Sequence, residues 1–65
     1  MKNRIESIRK QRGISQKELA QMLRVSRQTV SSLENGRYDP SIMLAFKIAK
    51  LFELTIEDVF IFEQE

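Results

Sequence analysis

Cysteine and histidine are both absent from this 65-residue chain, which has a single proline, Pro40, and only two glycines, Gly13 and Gly36. Without thiols or imidazoles there are no disulfides, no thiolate zinc sites, no cysteine or histidine nucleophile systems and no imidazole base. Catalysis would have to rest on carboxylates, lysines or hydroxyls, and no acid, base and nucleophile converge in the sequence. A domain this small also has little room for a pocket, so neither an enzyme nor a metal or cofactor is expected. No stretch approaches the roughly 18 apolar residues of a membrane span. The opening MKNRIESIRKQRG carries charges every few residues and no apolar centre, unlike a signal peptide. What remains is one small domain over residues 1–65, read as cytoplasmic, with no membrane partner and no evident small-molecule ligand. Such a chain buries only about 60% of the surface its unfolded form exposes, so modest stability and help from a partner chain are expected.

Acid and base are unevenly spread. All eleven Lys and Arg residues lie within positions 1–50, accompanied by only four acids, whereas residues 51–65 hold five acids and no base. The body therefore carries +7 and the tail −5, within a net charge of +2. An ordinary solvated surface accounts for such a pattern, and so does a basic face for nucleic acid.

Apolar spacing and capping residues divide the chain into five short helices. Ile5 and Ile8 define the first, from about residue 3 to Gln11, closed by Gly13. Ser15 and Glu18 fit the capping box S-x-x-E at the start of a second helix from Gln16 to about Leu23. Ser26 suits the N-cap of a third, from Arg27 to about Glu34, ended by Gly36. After a loop at residues 37–40, Asp39 is the expected cap and Pro40 the expected first turn of a fourth helix running to about Phe52. Ile42, Ala45, Ile48, Ala49 and Phe52 should face the core, with Leu44 and Leu51 on a weaker second apolar surface. Thr55 and Asp58 mark a fifth helix to about Val59, with Leu54, Ile56 and Val59 tucked beneath the bundle. The end, residues 60–65, is β-branched and aromatic with rough alternation, and either pairs as a short strand with residues 1–3 or folds back as a tail.

Residues 16–35 form the centre of this arrangement. Leu19, Ala20 and Leu23 make one apolar stripe, Val30 and Leu33 a second, and Val25 lies between them, so the two helices should pack at a steep angle with the small Ala20 at their contact. Left outward are Arg27 above Ser31 and Gln28 above Ser32. A helix fits the major groove of B-form DNA, where arginine forks onto guanine, glutamine onto adenine, and serine serves either. Arg27, Gln28, Ser31 and Ser32 are thus candidate base-reading residues. The free amides at the start of the second helix attract phosphate. Gln16 would extend that site, with Lys17, Asn35, Arg37 and Tyr38 near either end of the pair as further candidates for backbone contacts.

S-Q-K-E-L-A, V-S-R-Q-T-V, L-E-N-G-R and P-S-I followed by K-I-A-K, in that order, resemble the helix-turn-helix domain of the phage repressor and Cro family, also called xenobiotic-response-element-like. The similarity covers about residues 4–60. It implies an all-α fold, a five-helix repressor-like DNA-binding bundle, and a dimer that represses or activates at a two-fold symmetric operator. In the family's pattern Gln16 falls at the phosphate-binding helix start, Arg27, Gln28 and Ser32 at base-reading positions, and Asn35 at a backbone contact. Arg9 and Glu34 match positions that often form an internal salt bridge, the other reading being two unconnected surface charges. Where the family's turn usually has glycine, this chain has Arg24. Either Arg24 is left-handed or the turn differs locally.

The short chain further resembles small stand-alone dimeric regulators in which the chain ends add a two-stranded β-ribbon to the bundle. Leu44, Leu51, Phe60, Ile61 and Phe62 are the corresponding dimer-interface candidates, each of which is also suited to burial within its own subunit. The function expected is a sequence-specific homodimeric DNA-binding transcriptional regulator, read as a repressor, with double-stranded DNA and a second copy as partners. The alternative is a protein-interaction module, such as an antitoxin or adaptor, using the same bundle with its acidic, apolar tail toward a protein partner.

Overall fold

Capping side chains set where each helix of the chain begins. The computed structural model describes residues 1–62 and contains α1 (Ile5–Gln11), α2 (Gln16–Leu23), α3 (Arg27–Glu34), α4 (Ile42–Phe52) and α5 (Ile56–Val59). Ser15, Ser26, Ser41 and Thr55 precede α2 to α5 in extended backbone, and each side-chain oxygen accepts the amide three residues on. At α2 and α5 the bond is returned: the Glu18 and Asp58 carboxylates accept the amides of Ser15 and Thr55, both at 3.0 Å.

The start of α4 departs from expectation. Its cap is Ser41, whose Oγ accepts from the Leu44 amide at 3.1 Å, so Pro40 lies before the helix rather than in its first turn. Asp39, the expected cap, instead accepts from the Met1 amino group at 2.8 Å. The first helix likewise starts at Ile5, because residues 3 and 4 are engaged with the chain's other end.

One pair of hydrogen bonds closes four helices. After α1, α2, α3 and α4 a left-handed residue donates to the carbonyl three back, and the following amide reaches five back. Gly13 and Gly36 supply the positive φ at two of these turns, whereas Arg24 (φ 60°) and Glu53 (φ 57°) supply it at the others. Of the two readings for Arg24, the left-handed one is therefore correct.

The helices enclose a single core. Leu19, Ala20 and Leu23 from α2 meet Val30 and Leu33 from α3, with Ile5 and Ile8 from α1 on one side and Ala45, Ile48, Ala49 and Phe52 from α4 on another. Val59 and Phe60 close the base, and Leu54 and Ile56 pack against them half-buried. Ile42 was expected in this core but is 69% exposed, because the buried stripe of α4 begins a turn later, at Ala45, and no described element covers the first turn.

Among the described residues the expected terminal ribbon consists of one antiparallel bridge between Asn3 and Phe60, supported by Arg4 N–H donating to the Val59 carbonyl and Ile61 N–H to the Lys2 carbonyl. Asn3 secures this end further, its amide donating to the Leu33 carbonyl at 2.7 Å. Residues 63–65 of the expected strand, with the tail acids Glu63 and Glu65, lie outside the described residues.

Candidate nucleic-acid interface

The outward face of α3 is held from three directions. At its start, Ser26 Oγ accepts from the Thr29 amide at 3.1 Å and lies 2.9 Å from Thr29 Oγ1. Along its inner side Val30 and Leu33 are buried against α2, at 0% and 1% exposure. At its end Glu34 is tied to α1: Arg9 Nε and Nη2 donate to its two oxygens at 2.6 and 3.1 Å. This fork is nearly dry, with Arg9 7% exposed and the Glu34 side chain 4%. A third Arg9 nitrogen donates to the Ile14 carbonyl at 2.9 Å, so the guanidinium's donors are used rather than stranded. The hydrogen bond to Glu34 holds the Arg9 pKa above its ordinary value.

The crossing of α2 and α3 is fixed by their turn. Val25 N–H reaches the Ala20 carbonyl at 3.0 Å around left-handed Arg24, and Lys47 Nζ on α4 donates to the Leu23 carbonyl at 3.1 Å. Lys47 satisfies a helix-end carbonyl with a cation, the favourable sign at a helix C-terminus. At the other end of α2, the amide hydrogen bond from Ser15 and the hydroxyl of Ser15 hold the Glu18 carboxyl below the usual carboxylate range.

On this support Arg27 and Gln28 are exposed, and Ser31 and Ser32 are half-buried at the edge of the face. The Ser32 carbonyl accepts from the amides of both Arg37 and Tyr38, at 3.0 and 3.3 Å, which folds the loop after α3 back along the helix. Gln28, Ser32 and Tyr38 thereby line one shallow groove together with Ser26 and Thr29. Gln16, Ser31 and Asn35 meet at a second depression on the other flank, with Glu6 and Glu34. There Gln16 Nε2 donates to Glu34 Oε1 at 3.0 Å, which sets its orientation and leaves its second amide hydrogen for another acceptor. Asn35 Oδ1 accepts from the Arg37 amide at 3.2 Å. Lys17, Arg27 and Arg37 are exposed, and none of the three forms an ion pair among the described residues.

The dimer-interface candidates differ in burial. Leu44 and Leu51 are half-buried against the core, Phe60 is 6% exposed, Ile61 is half-buried and Phe62 is 82% exposed. Phe60 turns inward because its amide bonds the Ile56 carbonyl at 2.8 Å and its backbone bridges Asn3.

Sequence reasoning passed over Thr29 and Ser26 as groove walls and Lys47 as a brace of the turn. Thr29 was legible, lying three before Ser32 and beside Gln28. Lys47 was not, because its bond to Leu23 spans 24 residues. Among the described residues no cluster of three acidic side chains is placed to hold a metal ion, and no helix is long and apolar enough to cross a membrane.

Comparison with known proteins adds to this geometry. The profile of a family described as helix-turn-helix matches residues 5–59. An uncharacterized HTH-type transcriptional regulator of Methanocaldococcus jannaschii is 51% identical over 65 residues, covering 100% of this chain and 98% of its own. Another, from Bacillus subtilis, is 46% identical over 65 residues and covers 100% and 98%. The ImmF control region 10 kDa protein of Bacillus phage phi105 is 40% identical over 52 residues, 80% of this chain and 58% of that protein. Among solved structures, a transcriptional regulator from Listeria innocua superposes with a TM-score of 0.82 at 23% identity, over 100% of this chain and 64% of that one. That likeness is one of fold.

Proposed function

The chain belongs to the helix-turn-helix family, and from this premise we propose that it is a sequence-specific, homodimeric DNA-binding transcriptional regulator that represses at a palindromic operator. The observation that carries the reading is the division of α3 into two faces. Val30 and Leu33 are buried against α2, while Arg27 and Gln28 project into solvent with Ser31 and Ser32 beside them. Those three residue types are suited to reading base edges in the major groove.

In this reading α3 enters the groove, Arg27 and Gln28 read purines, and Ser31 and Ser32 contact neighbouring edges or bound water. Gln16, oriented by Glu34, and Asn35 bind phosphate on one flank; Lys17, Arg37 and Tyr38 add backbone contacts that set register and affinity without carrying sequence. Two copies place their α3 helices about 34 Å apart, one turn of the duplex. Repression is the sign favoured by the similarity to a phage control region protein. Regulation of transcription is favoured by the names of the relatives that match over nearly their whole length.

Selection of bound fragments from random duplex DNA tests the whole proposal. The expected result is a palindromic consensus with half-sites one turn apart. Recovery of unenriched DNA would exclude sequence-specific reading, and a consensus without symmetry would exclude the two-fold arrangement.

A further inference from the structure

The first turns of α4 carry an apolar ridge that no described element covers. Ile42 is 69%, Met43 70% and Phe46 54% exposed. Apolar area left in water forgoes the main favourable term of folding, and a domain of this size has little to spare. Contiguous exposed patches of this kind mark interaction surfaces. Beside the ridge the chain reverses at Glu53 into α5, leaving a groove walled by Phe46, Ala49 and Lys50 on the α4 side and by Leu54, Ile56 and Glu57 on the other. One lip is thus cationic and the other anionic. Lys50 and Glu57 are both exposed, and neither forms an ion pair among the described residues.

We propose that this ridge and groove form the face through which two copies of the chain pair, each Phe46 ridge seated in the other copy's α4–α5 groove and Lys50 of each opposite Glu57 of the other. The inference rests on the homodimeric reading above and assigns it a surface. Self-complementarity selects a second copy as the occupant. Ridge and groove are adjacent on one subunit, so a two-fold axis between them sends each ridge into the opposite groove, as an isologous interface requires. The same axis sets lysine against glutamate twice, pairing charges that form no ion pair among the described residues of one chain. No residue of α2 or α3 takes part, so Arg27 and Gln28 remain free for DNA.

Sedimentation of the full chain across micromolar concentrations, with charge-reversal variants, tests the face. Wild type should dimerise, and Lys50→Glu and Glu57→Lys should each raise the dimer dissociation constant about tenfold, since each sets like charges together at two places. An equimolar mixture of the two variants should dimerise as tightly as wild type, because the heterodimer restores opposite charges at both lips. Neither misfolding nor a pair within one chain would produce that rescue. Phe46→Glu should weaken the dimer about a hundredfold with its helical circular dichroism unchanged. If wild type dimerises but the variants pair equally well, or the mixture is no tighter than its components, the proposed face is wrong while the homodimeric reading stands. A wild-type monomer, both free and on duplex DNA selected by the protein, would overturn the two together.

Discussion

Arg24 is where the chain holds a non-glycine side chain in a conformation that costs it about 1–2 kcal/mol, at φ 60° and ψ 41°. Glycine carries no such penalty but loses more freedom on folding, by about 0.5–1 kcal/mol. Arg24→Gly should therefore stabilise the domain by up to about 1 kcal/mol, whereas Arg24→Ala keeps the left-handed strain and should not. Urea denaturation of both variants separates the backbone effect from loss of the guanidinium; a glycine variant no more stable than the alanine one would show that the turn is unstrained. On the outward face of α3, Gln28 is exposed beside Ser32 and Tyr38. Gln28→Ala should relax preference at one symmetric pair of base positions by about 1–3 kcal/mol. Binding measured against single-base operator variants decides this, and uniform weakening on every sequence would remove Gln28 from base reading.

At the scale of elements, the Arg9–Glu34 fork ties α1 to the end of α3 across 25 residues of sequence. Removing one partner strands a carboxylate that is nearly out of water, so Arg9→Ala should cost about 3–5 kcal/mol. Replacing both by apolar residues, as in Arg9→Met with Glu34→Leu, should recover much of that loss. A urea midpoint for Arg9→Ala within a few tenths of a kcal/mol of wild type would mean that the fork contributes nothing. The capping boxes make a second element-scale contribution, with a pH dependence. Amide and hydroxyl hydrogen bonds from Ser15 depress the pKa of Glu18, and those from Thr55, with the charge of Arg4, depress that of Asp58. A depressed carboxylate stabilises the fold above its unfolded pKa of about 4, and that stability is lost as pH falls through the lower folded value. Combined Glu18→Gln and Asp58→Asn should flatten this acid loss, seen as urea midpoints that change less than wild type between about pH 5 and pH 2. Parallel profiles would show that the boxes stabilise the helices by geometry alone.

For the whole molecule, the uneven distribution of charge matters more than its sum. Residues 1–50 hold every cation of the chain, and Lys17, Arg27 and Arg37 are exposed on or beside the α2–α3 unit. Phosphate contacts release counterions, so affinity for DNA should fall steeply with salt. Each phosphate contact contributes about 0.9 to the slope of log affinity against log salt, and a dimer makes each contact twice. Arg37→Ala should thus reduce that slope by about 2 while leaving base preference intact. Anisotropy titrations across a salt series on the selected operator give the slope, and an unchanged value would place Arg37 away from phosphate.

Residues close in sequence determined most of what could be read without coordinates. Ser15 with Glu18, Ser26, and Thr55 with Asp58 were legible as caps because a cap bonds an amide only three residues away. The stripe of Leu19, Ala20, Leu23, Val30 and Leu33 was legible because helical period alone places it on one side. That same period left Arg27 and Gln28 outward. Arg24 was singled out only because the resembling family usually has glycine there, with two conformations left open, and Glu53, an equivalent left-handed position, was not singled out. Asp39 was read as the cap of α4, but it accepts from the distant Met1 amino group and Ser41 caps the helix instead. Long-range contacts decided the remainder: the dry Arg9–Glu34 fork with Gln16 attached, Tyr38 folded beside α3, and Phe60 turned inward by Asn3 and Ile56. Ile42 makes the distinction plainest. Its place on the apolar period of α4 is a property of sequence, but burial needs an opposing surface, and the tertiary structure supplies one to Ala45 and Ile48, whereas no described element covers Ile42, Met43 or Phe46.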